Sequence, residues 1–362
     1  MDKRSKIISP FSIFSIIVFA IVCIIHIATE SSFAFADFIN GSISQGFRRV
    51  MSLIGETVQF SVFELLIACL PIILFFVIRS ALKAFSDPQK RWRFVINLLS
   101  VVLLIYSGHL LALGIGHNTT PVSNKMGLTE VEVSEERLTE TLISLRDEIN
   151  SLSDDVFRDE NGVFTHGYSY KELSKKYSDA YIKLAKAYNL PYGYYTTAKG
   201  VKASFVMSYL GISGIYTYPT GEANINTNYP DYVTAFTTAH EMSHQRGFMR
   251  ENEANFIAYI LTSTSDDPAL RYSGALNMYS YFASALYSTN KDAYFAIVAD
   301  LSDSAKADIR AANAVNEKYG DTIISDISDF INDLYLTSSG SGGIVSYSRV
   351  VQLVLAYRYG QN

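Results

Sequence analysis

Three long apolar segments in the first third of the chain constrain its fold more than any other feature of the sequence. The first, Ile7 to Ala28, contains no Lys, Arg, Asp or Glu, and an apolar run of roughly 20 residues can cross a bilayer as a helix. Buried helices of a soluble domain are the alternative, but three such runs in succession favour membrane spans. We therefore predict a membrane region over residues 1–113 with transmembrane helices at about 7–28, 61–79 and 94–113.

Basic residues predict how these spans are oriented. Lys3, Arg4 and Lys6 precede the first span, and five Lys or Arg residues lie between Arg79 and Arg93, in the short loop after the second. Short loops rich in Lys and Arg stay on the cytoplasmic side. The first loop and everything after the third span are then predicted to lie outside the cytoplasm, in a multi-pass protein of the cell membrane.

The segment that follows the first span contains a possible cleavage site and a helical pattern, and each allows two interpretations. Ala34-Phe35-Ala36 resembles a signal-peptidase site, but the apolar run before it is long for a signal peptide, so we favour an uncleaved anchor. From Phe38 to Ile54, apolar residues recur with helical spacing. That pattern predicts a helix that lies on the outer membrane face or packs against the external domain.

The remainder of the chain is predicted to be a linker over residues 114–129 and a helix-rich domain over residues 130–362 with a small β-sheet. This part carries 20 basic and 29 acidic residues of the totals of 30 and 35, so we expect no nucleic-acid partner. Both cysteines, Cys23 and Cys69, fall inside the predicted spans and offer the domain no disulfide. Helices are predicted after residue 260 at 268–287, 291–301, 303–319, 322–335 and 347–357, with a plain loop at 338–343.

A His-Glu-x-x-His motif is formed by His240, Glu241 and His244. On a helix the two imidazoles are one turn apart, so both leave the same face and can hold one metal ion. Neutral imidazole suits zinc, and a catalytic zinc site uses three protein ligands and one open position. Glu241 is then placed to take a proton from a water molecule. Two incidental histidines are the alternative, which the small and apolar residues before the motif disfavour because they indicate a buried helix.

A third ligand has to come from beyond Gly247. A continuous helix would place Glu251 roughly 10 Å past His244, too far for one zinc ion to bind both. We therefore predict that the helix ends near Gly247, a residue type that ends helices at little cost. A second helix, starting near Arg250, would fold back towards the histidines.

Two glutamates on this second helix are candidates for the third ligand. Glu251 and Glu253 are two residues apart and lie on nearly opposite faces. The face of Glu253 is apolar and predicts core, so we predict Glu251 as the ligand and Asn255, one turn later, as the hydrogen-bond partner of a ligand histidine. Glu253 stays open as a further ligand.

The run from Val201 to Ile260 closely resembles a family of bacterial membrane proteins described as domain of unknown function 3810. The matching segments are Met207–Gly211, Gly214–Tyr216, Thr220–Asn226, His240–Gly247 and Glu251–Tyr259. The resemblance implies a zinc peptidase of the gluzincin type behind three membrane spans. In gluzincins a carboxylate or amide residue follows the third ligand, a glutamate, by four positions, which here implies Glu251 with Asn255.

An edge strand is predicted just before the motif. Ile215 to Tyr218 is β-like and is followed by Pro219, which is tolerated in an edge strand and not in a central one. In zinc peptidases of this general kind such a strand binds the substrate backbone by strand addition. The polar residues of the next segment, Glu222, Asn224 and Asn226, then either line the cleft or form the polar rim of a hairpin.

Together these features predict a mainly α membrane protein: three N-terminal transmembrane helices and an α-rich, zincin-like extracytoplasmic domain. Its expected function is that of a membrane-anchored zinc metallopeptidase that hydrolyses peptide or protein substrates, with Zn²⁺ on His240, His244 and Glu251 and Glu241 as general base. The alternative is a non-catalytic membrane sensor or envelope scaffold with a structural zinc site. Such sites usually have four protein ligands, and the motif has no cysteine or further histidine nearby.

Overall fold

The computed structural model describes residues 8–191, 193, 196–320 and 343–360. Within these ranges the chain is mainly helical and forms one three-stranded sheet. The helix predicted at 322–335 and all of the predicted 338–343 loop except Gly343 lie outside the described residues.

The secondary structure alternates short connections with helices of very different length. The helices are α1 (Pro10–Glu30), α2 (Phe33–Ile39), α3 (Gln45–Glu56), α4 (Val62–Ala84), α5 (Pro88–Ala112), α6 (Val122–Lys125), α7 (Glu135–Leu152), α8 (Tyr170–Tyr188), α9 (Ser204–Tyr209), α10 (Asp231–Gln245), α11 (Glu251–Ser263), α12 (Pro268–Thr289), α13 (Lys291–Ala299), α14 (Asp303–Tyr319) and α15 (Gly343–Tyr359). A π-helical turn at Asn40–Ser44 joins α2 to α3, and a 3₁₀ turn at Gly114–Asn118 follows α5. The strands are β1 (Lys199–Val201), β2 (Gly214–Thr217) and β3 (Glu222–Asn226).

Three of the helices, α1, α4 and α5, are long and apolar enough to cross a membrane. Polar caps define where all three start: the Ser9 hydroxyl accepts a hydrogen bond from an amide in the first turn of α1, and Ser61 and Asp87 do the same for α4 and α5. A proline in the first turn of α1 and of α5 supports this start, since it needs no hydrogen-bond acceptor there. α1 packs against α5, whereas no residue of α4 is buried.

The stretch from α2 to α3 buries polar residues and exposes apolar ones, the reverse of a surface helix on a soluble protein. The buried residues are spaced four apart and so lie on one side: Asn40, Ser44, Arg48 and Ser52. Apolar side chains of the same stretch are exposed: Phe38, Ile43, Val50 and Leu53. The polar side therefore packs against the protein, and the apolar side faces out. Of the two predicted roles, this arrangement favours a helix on the membrane surface.

The core of the globular part lies between helices that pack on one another in pairs. α7 packs along α12; α10, α11 and α12 all pack on one another; and α15 packs on α11. Their facing side chains are fully buried: Leu142, Leu145, Phe256, Ile257, Tyr272 and Phe282. This core fixes the position of α10 and α11, which carry the motif and its predicted third ligand.

In the sheet, β3 lies between β1, to which it is parallel, and β2, to which it is antiparallel. β2 is thus an edge strand among the described residues, as the sequence predicts for the segment before Pro219. β2 and β3 both pack against α10. The open edge of the sheet therefore lies beside the motif helix.

The start of α4 is attached to the sheet side of the protein by two carboxylates that act in opposite directions. The buried Glu222 of β3 accepts hydrogen bonds from the amides of Val62 and Phe63, at 3.1 and 3.0 Å. Glu64 of α4 accepts from the amides of Lys202 and Ala203, just before α9, at 3.1 and 2.6 Å. Each region thus supplies the acceptor for backbone amides of the other.

Candidate metal centre

The motif lies on α10, whose surroundings leave little of it exposed. The helix buries residues on all sides, including Ala239, Glu241, Met242, Ser243 and His244. Because His240 and His244 are one turn apart, their rings share a face, with ring centroids 4.8 Å apart. Burial of two imidazoles and a carboxylate requires partners for their polar atoms.

Gly247 ends α10, as the sequence predicts, and a tertiary contact requires it to be glycine. Its φ of +98° lies in the left-handed region, and a Cβ there would lie 2.7 Å from Asn40 Nδ2. The same Asn40 amide donates to the Gly247 carbonyl at 3.1 Å. Arg48 in turn donates to the Asn40 side chain and to the Ala112 carbonyl. The turn between α10 and α11 is therefore held in place by the stretch from α2 to α3, which supplies Asn40 and Arg48, and by the end of α5.

The segment predicted as a linker also positions this turn. Arg250, the residue before α11, donates to the carbonyls of His117 and Thr119 at 2.6 and 2.7 Å. At Gly116 a Cβ would come within 2.4 Å of Met249 Cγ, so the two backbones approach closely. The segment is thus packed against the turn that aims α11 at the histidines.

α11 brings Glu251 to the two histidines. Its carboxylate oxygens lie 3.2 Å from His240 Nε2 and 3.6 Å from His244 Nε2, and the two Nε2 atoms are 3.1 Å apart. The three residues form the group among the described residues whose ligand atoms could hold a metal ion. Asn255 lies one turn further along α11, within hydrogen-bond distance of His240.

Glu253, the alternative ligand, points away from this cluster. It is buried, and its carboxylate accepts hydrogen bonds from the Val122 amide and from Arg250, both at 2.9 Å. The Arg250 guanidinium neutralises its charge. Glu253 thus fastens the linker segment to α11, in agreement with the predicted difference between the faces of the two glutamates.

Hydrogen bonds at the far ring nitrogens determine which nitrogen of each histidine carries the proton. His240 Nδ1 lies 2.9 Å from Asn255 Oδ1, and His244 Nδ1 lies 2.7 Å from the Phe248 carbonyl. An amide or carbonyl oxygen only accepts, so both Nδ1 atoms donate. In the neutral rings Nε2 then keeps its lone pair, and both lone pairs point at Glu251. Outer partners of this kind orient metal-ligating histidines in proteins.

The electrostatics of the cluster favour a protonated His240 beside a neutral His244 and an ionised Glu251. Burial lowers the pKa of His244 to about 4. Burial also opposes a charge on His240, but its hydrogen bond to Glu251 and the charge of Glu241 outweigh this and raise its pKa to about 9. Burial would raise the pKa of Glu251, yet the two histidines lower it to about 2. A metal cation and the proton on His240 therefore compete for the same place.

Glu241 lies between α10 and the edge strand. Burial raises the pKa of Glu241 to about 7, although the charge of His240 and a hydrogen bond from the Tyr216 amide oppose this. Gly214 permits the close approach of β2, since a Cβ there would lie 2.4 Å from Thr237 Cγ2 and 2.8 Å from Glu241 Oε1. The carboxylate is thus placed at the open edge of the sheet and beside the cluster.

A cavity of about 820 Å³ opens in front of these residues. Its wall includes the cluster, Glu241, the whole of β2, and residues of α4, α5 and α12 such as Phe63, His109 and Tyr281. The sequence prediction did not include the last three, because they lie far from the motif along the chain. A cavity of this size is in the range of ligand-binding sites.

The polar residues of β3 do not belong to the cavity wall. Glu222, Asn224 and Asn226 are fully buried behind β2. Asn224 accepts a hydrogen bond from the Ser61 hydroxyl at 2.6 Å, and Asn226 donates to the Ile212 carbonyl at 2.8 Å. The predicted hairpin is confirmed, because β2 and β3 pair antiparallel, but these residues form neither a cleft lining nor a polar rim. These residues attach α4 and shape the loop before β2.

The donor set of the cluster fits zinc. Ligand atoms at about 2.0–2.1 Å from a tetrahedral ion are roughly 3.3 Å from one another, and the observed separations are 3.1, 3.2 and 3.6 Å. Two imidazoles, whose Nε2 atoms are available once the rings are neutral, and a carboxylate are ligand types that zinc accepts. Since Glu253 is occupied elsewhere, three protein ligands converge here.

Comparison with known proteins gives one match. No curated protein and no solved structure matches this chain. The family model described as Protein of unknown function (DUF3810) matches residues 35–355. The match covers α3 to α14 and includes the cluster, the sheet and two of the three apolar helices in full. The chain therefore belongs to the DUF3810 family.

Proposed function

We propose that this protein is a membrane-anchored zinc metallopeptidase of the gluzincin type, with its catalytic domain outside the cytoplasm. The observation that carries the proposal is the convergence of His240, His244 and Glu251 on one point of a large cavity, with a buried glutamate beside them. A structural site would be expected to use four protein ligands.

His240, His244 and Glu251 would hold the zinc ion. When bound, zinc would polarise the scissile carbonyl and make water more acidic. Asn255 and the Phe248 carbonyl hold the imidazole rings in the orientation that this requires. The protein thus supplies a prepared set of donors on two helices that the core holds rigidly.

Glu241 supplies the acid–base chemistry. Its carboxylate accepts a proton from the attacking water and then passes it to the leaving amine, so that no net proton is gained or lost by the enzyme. The hydrogen bond from the Tyr216 amide holds it beside the edge strand. A peptide that pairs with the outer edge of β2 would extend the sheet and pass in front of this carboxylate.

The external location rests on the basic residues around α4 and α5. Cysteine labelling tests it in a protein whose Cys23 and Cys69 are replaced by serine. An impermeant maleimide should label Ser288→Cys, exposed at the end of α12, on intact cells. Ser86→Cys, in the short loop between α4 and α5, should be labelled only after lysis. The opposite pattern would reverse the topology.

The catalytic role is tested with Glu241→Gln, which preserves size and removes the basic carboxylate. We expect full zinc content, near-normal folding and peptide hydrolysis reduced by at least roughly 10²-fold, the usual scale for a lost general base. His240→Ala should instead lose zinc and become less stable, because a bound ligand stabilises the folded state. Metal analysis and digestion of a peptide library by the purified protein measure both effects.

The alternative function predicts a different result. A sensor or scaffold with a structural zinc site has no use for a base, so Glu241→Gln would then match the wild type in every assay. Equal turnover of the two proteins on any peptide found to be cut would refute the proposed mechanism.

A further inference from the structure

The position of the outer bilayer surface can be deduced from α2 and α3. The exposed apolar side of this stretch includes Phe38 and Val50, 64% and 57% exposed, and lies opposite the polar side that packs on the protein. Among the exposed large hydrophobic residues, α9 adds Phe205 and Val206, next to the start of α4. Exposed apolar side chains that are clustered in this way mark a surface that contacts lipid or a partner.

The turn between β2 and β3 reaches this surface. At Gly221 a Cβ would lie 2.6 Å from the Ser52 side chain of α3, so the turn packs directly on that helix. Tyr218, at the end of β2, donates from its hydroxyl to the Ile105 carbonyl of α5 at 2.8 Å. The other end of β2, at Gly214, adjoins Glu241. The edge strand therefore runs from the metal centre to the outer part of a predicted membrane span.

The cavity follows the same course. At the end away from the cluster its wall contains Phe63 and His109, which belong to the predicted spans α4 and α5. His109 stacks on Tyr106, and its ring lies edge-on to Tyr218. Tyr106 and Ile105 are 49% and 58% exposed on the outside of α5. The cavity wall is thus continuous with an apolar surface that faces lipid, and aromatic rings of this kind are typical of the membrane interface.

From this arrangement we infer that the substrate is a polypeptide anchored in the bilayer, cut close to the point where it leaves the membrane. The inference rests on the proposed function. Four residues of β2 span roughly 13 Å at 3.3 Å per residue. A substrate strand paired with β2 would therefore reach Glu241 within about four residues of the bilayer surface. A soluble peptide would lack the membrane-anchored segment that occupies the end of the cavity near α4 and α5.

The test uses the full chain, loaded with zinc, in vesicles of phosphatidylethanolamine and phosphatidylglycerol. The probes are random decapeptides that carry a palmitoyl chain through a spacer of two or of 20 Gly/Ser residues. Both probes have the same surface concentration, and only the short spacer keeps the peptide beside the bilayer. We expect the short-spacer probe to be cut about tenfold faster, since local concentration falls steeply with tether length. In the short-spacer probe, mass spectrometry should place the cuts within about four residues of the acyl anchor, which is about two residues beyond the spacer.

Photocrosslinking can test where the probe binds in a variant that does not cut it. In the Glu241→Gln protein, p-benzoylphenylalanine in place of His109 should crosslink to the short-spacer probe on irradiation. The same group in place of Phe295, exposed on α13 and outside the cavity wall, should not. Replacement of Phe63 provides a second position if the first variant misfolds.

The outcomes separate this inference from the proposed function. If the long-spacer or unanchored peptides are cut at least as fast, and Glu241→Gln abolishes both reactions, the enzyme is confirmed and a membrane-anchored substrate is refuted. Crosslinking at the α13 position as strong as at residue 109 would also refute it. If no probe is cut and Glu241→Gln behaves like the wild type, the proposed function fails, and this inference fails with it.

Discussion

Helices α10 and α4 differ in what surrounds them. Twelve of the 15 residues of α10 are buried inside the protein, whereas none of the 23 residues of α4 is. The buried face of α10 carries histidines, a glutamate and threonines, while α4 between Leu65 and Ile78 is apolar throughout. Protein therefore surrounds the first helix, whereas the second is uncovered by the described protein and is long and apolar enough to cross a membrane.

The two helices differ in how they avoid buried polar groups without hydrogen-bond partners. On α10 each motif imidazole has a specific partner: His240 has Asn255, and His244 has the Phe248 carbonyl. Within α4 the apolar sequence avoids the problem, and polar contacts are confined to the first turn. The start of α4 meets the sheet side of the protein where Glu222 accepts from the Val62 amide and Glu64 accepts from the Lys202 amide.

The largest effect is expected at the two glutamates of α11. Glu251→Ala should lower zinc affinity more than about 10²-fold, beyond the 10–100-fold typical of outer-sphere partners, because it removes a proposed ligand. Glu253→Ala should keep zinc but cost about 1–3 kcal/mol of stability, since the Val122 amide would lose its buried acceptor and Arg250 would lose its ion-pair partner. Metal analysis and denaturant unfolding of both variants measure this contrast.

The reverse result has a clear meaning. If Glu253→Ala lost the metal and Glu251→Ala kept it, the ligand would lie on the other face of α11. Glu251→Gln is the control that keeps the size of the side chain while weakening it as a ligand. It should lie between the wild type and Glu251→Ala in zinc content.

The second prediction compares isoleucines in the two surroundings. Ile257 of α11 is fully buried in the protein core, and Ile73, near the middle of α4, is 47% exposed. Ile257→Ala should cost about 2–5 kcal/mol because it leaves a cavity. Ile73→Ala should cost less than about 1 kcal/mol, the scale of an aliphatic side chain in membrane insertion. Unfolding of the protein in lipid nanodiscs measures both; equal costs would mean that α4 is buried by protein contacts.

The sequence predicts the parts of the site that follow from local spacing. The four-residue spacing of His240 and His244, the glycine at 247 and the two-residue offset of Glu251 and Glu253 each determine a face or a helix end. The same helix face predicts Asn255, one turn after Glu251, and the resemblance to the family implies the same pair. The apolar runs similarly predict three long helices, because a span of about 20 residues has no other common use.

The rest depends on contacts between distant residues, which have no local period. Asn40 binds the Gly247 carbonyl across 207 positions, and Glu222 binds the start of α4 across about 160. A polar residue on a strand can face a cleft, solvent at the sheet edge or a neighbouring helix. The alternation of residues along the strand does not distinguish these three environments. For this reason the sequence does not predict that Glu222, Asn224 and Asn226 are buried behind β2, or that Phe63 and His109 belong to the cavity wall.

The smallest effect is expected where the two regions meet. Glu222 and Glu64 each accept two backbone amides, one on each carboxylate oxygen. Glutamine offers only one carbonyl oxygen, so each Glu→Gln change should leave one amide without its acceptor. The amides beside the fully buried Glu222 have no water to replace it, and Glu222→Gln should cost about 1–3 kcal/mol.

Glu64 is partly exposed, so water can reach the amide that its variant releases. Glu64→Gln should therefore cost less than about 1 kcal/mol, below the cost of Glu222→Gln although the lost bonds are chemically alike. The two costs can be compared by denaturant unfolding and by limited proteolysis at the connection before Ser61. An equal or greater loss for Glu64→Gln would show that the start of α4 is attached chiefly through its own carboxylate. The meeting point of the two regions would then depend on the membrane helix and not on the sheet.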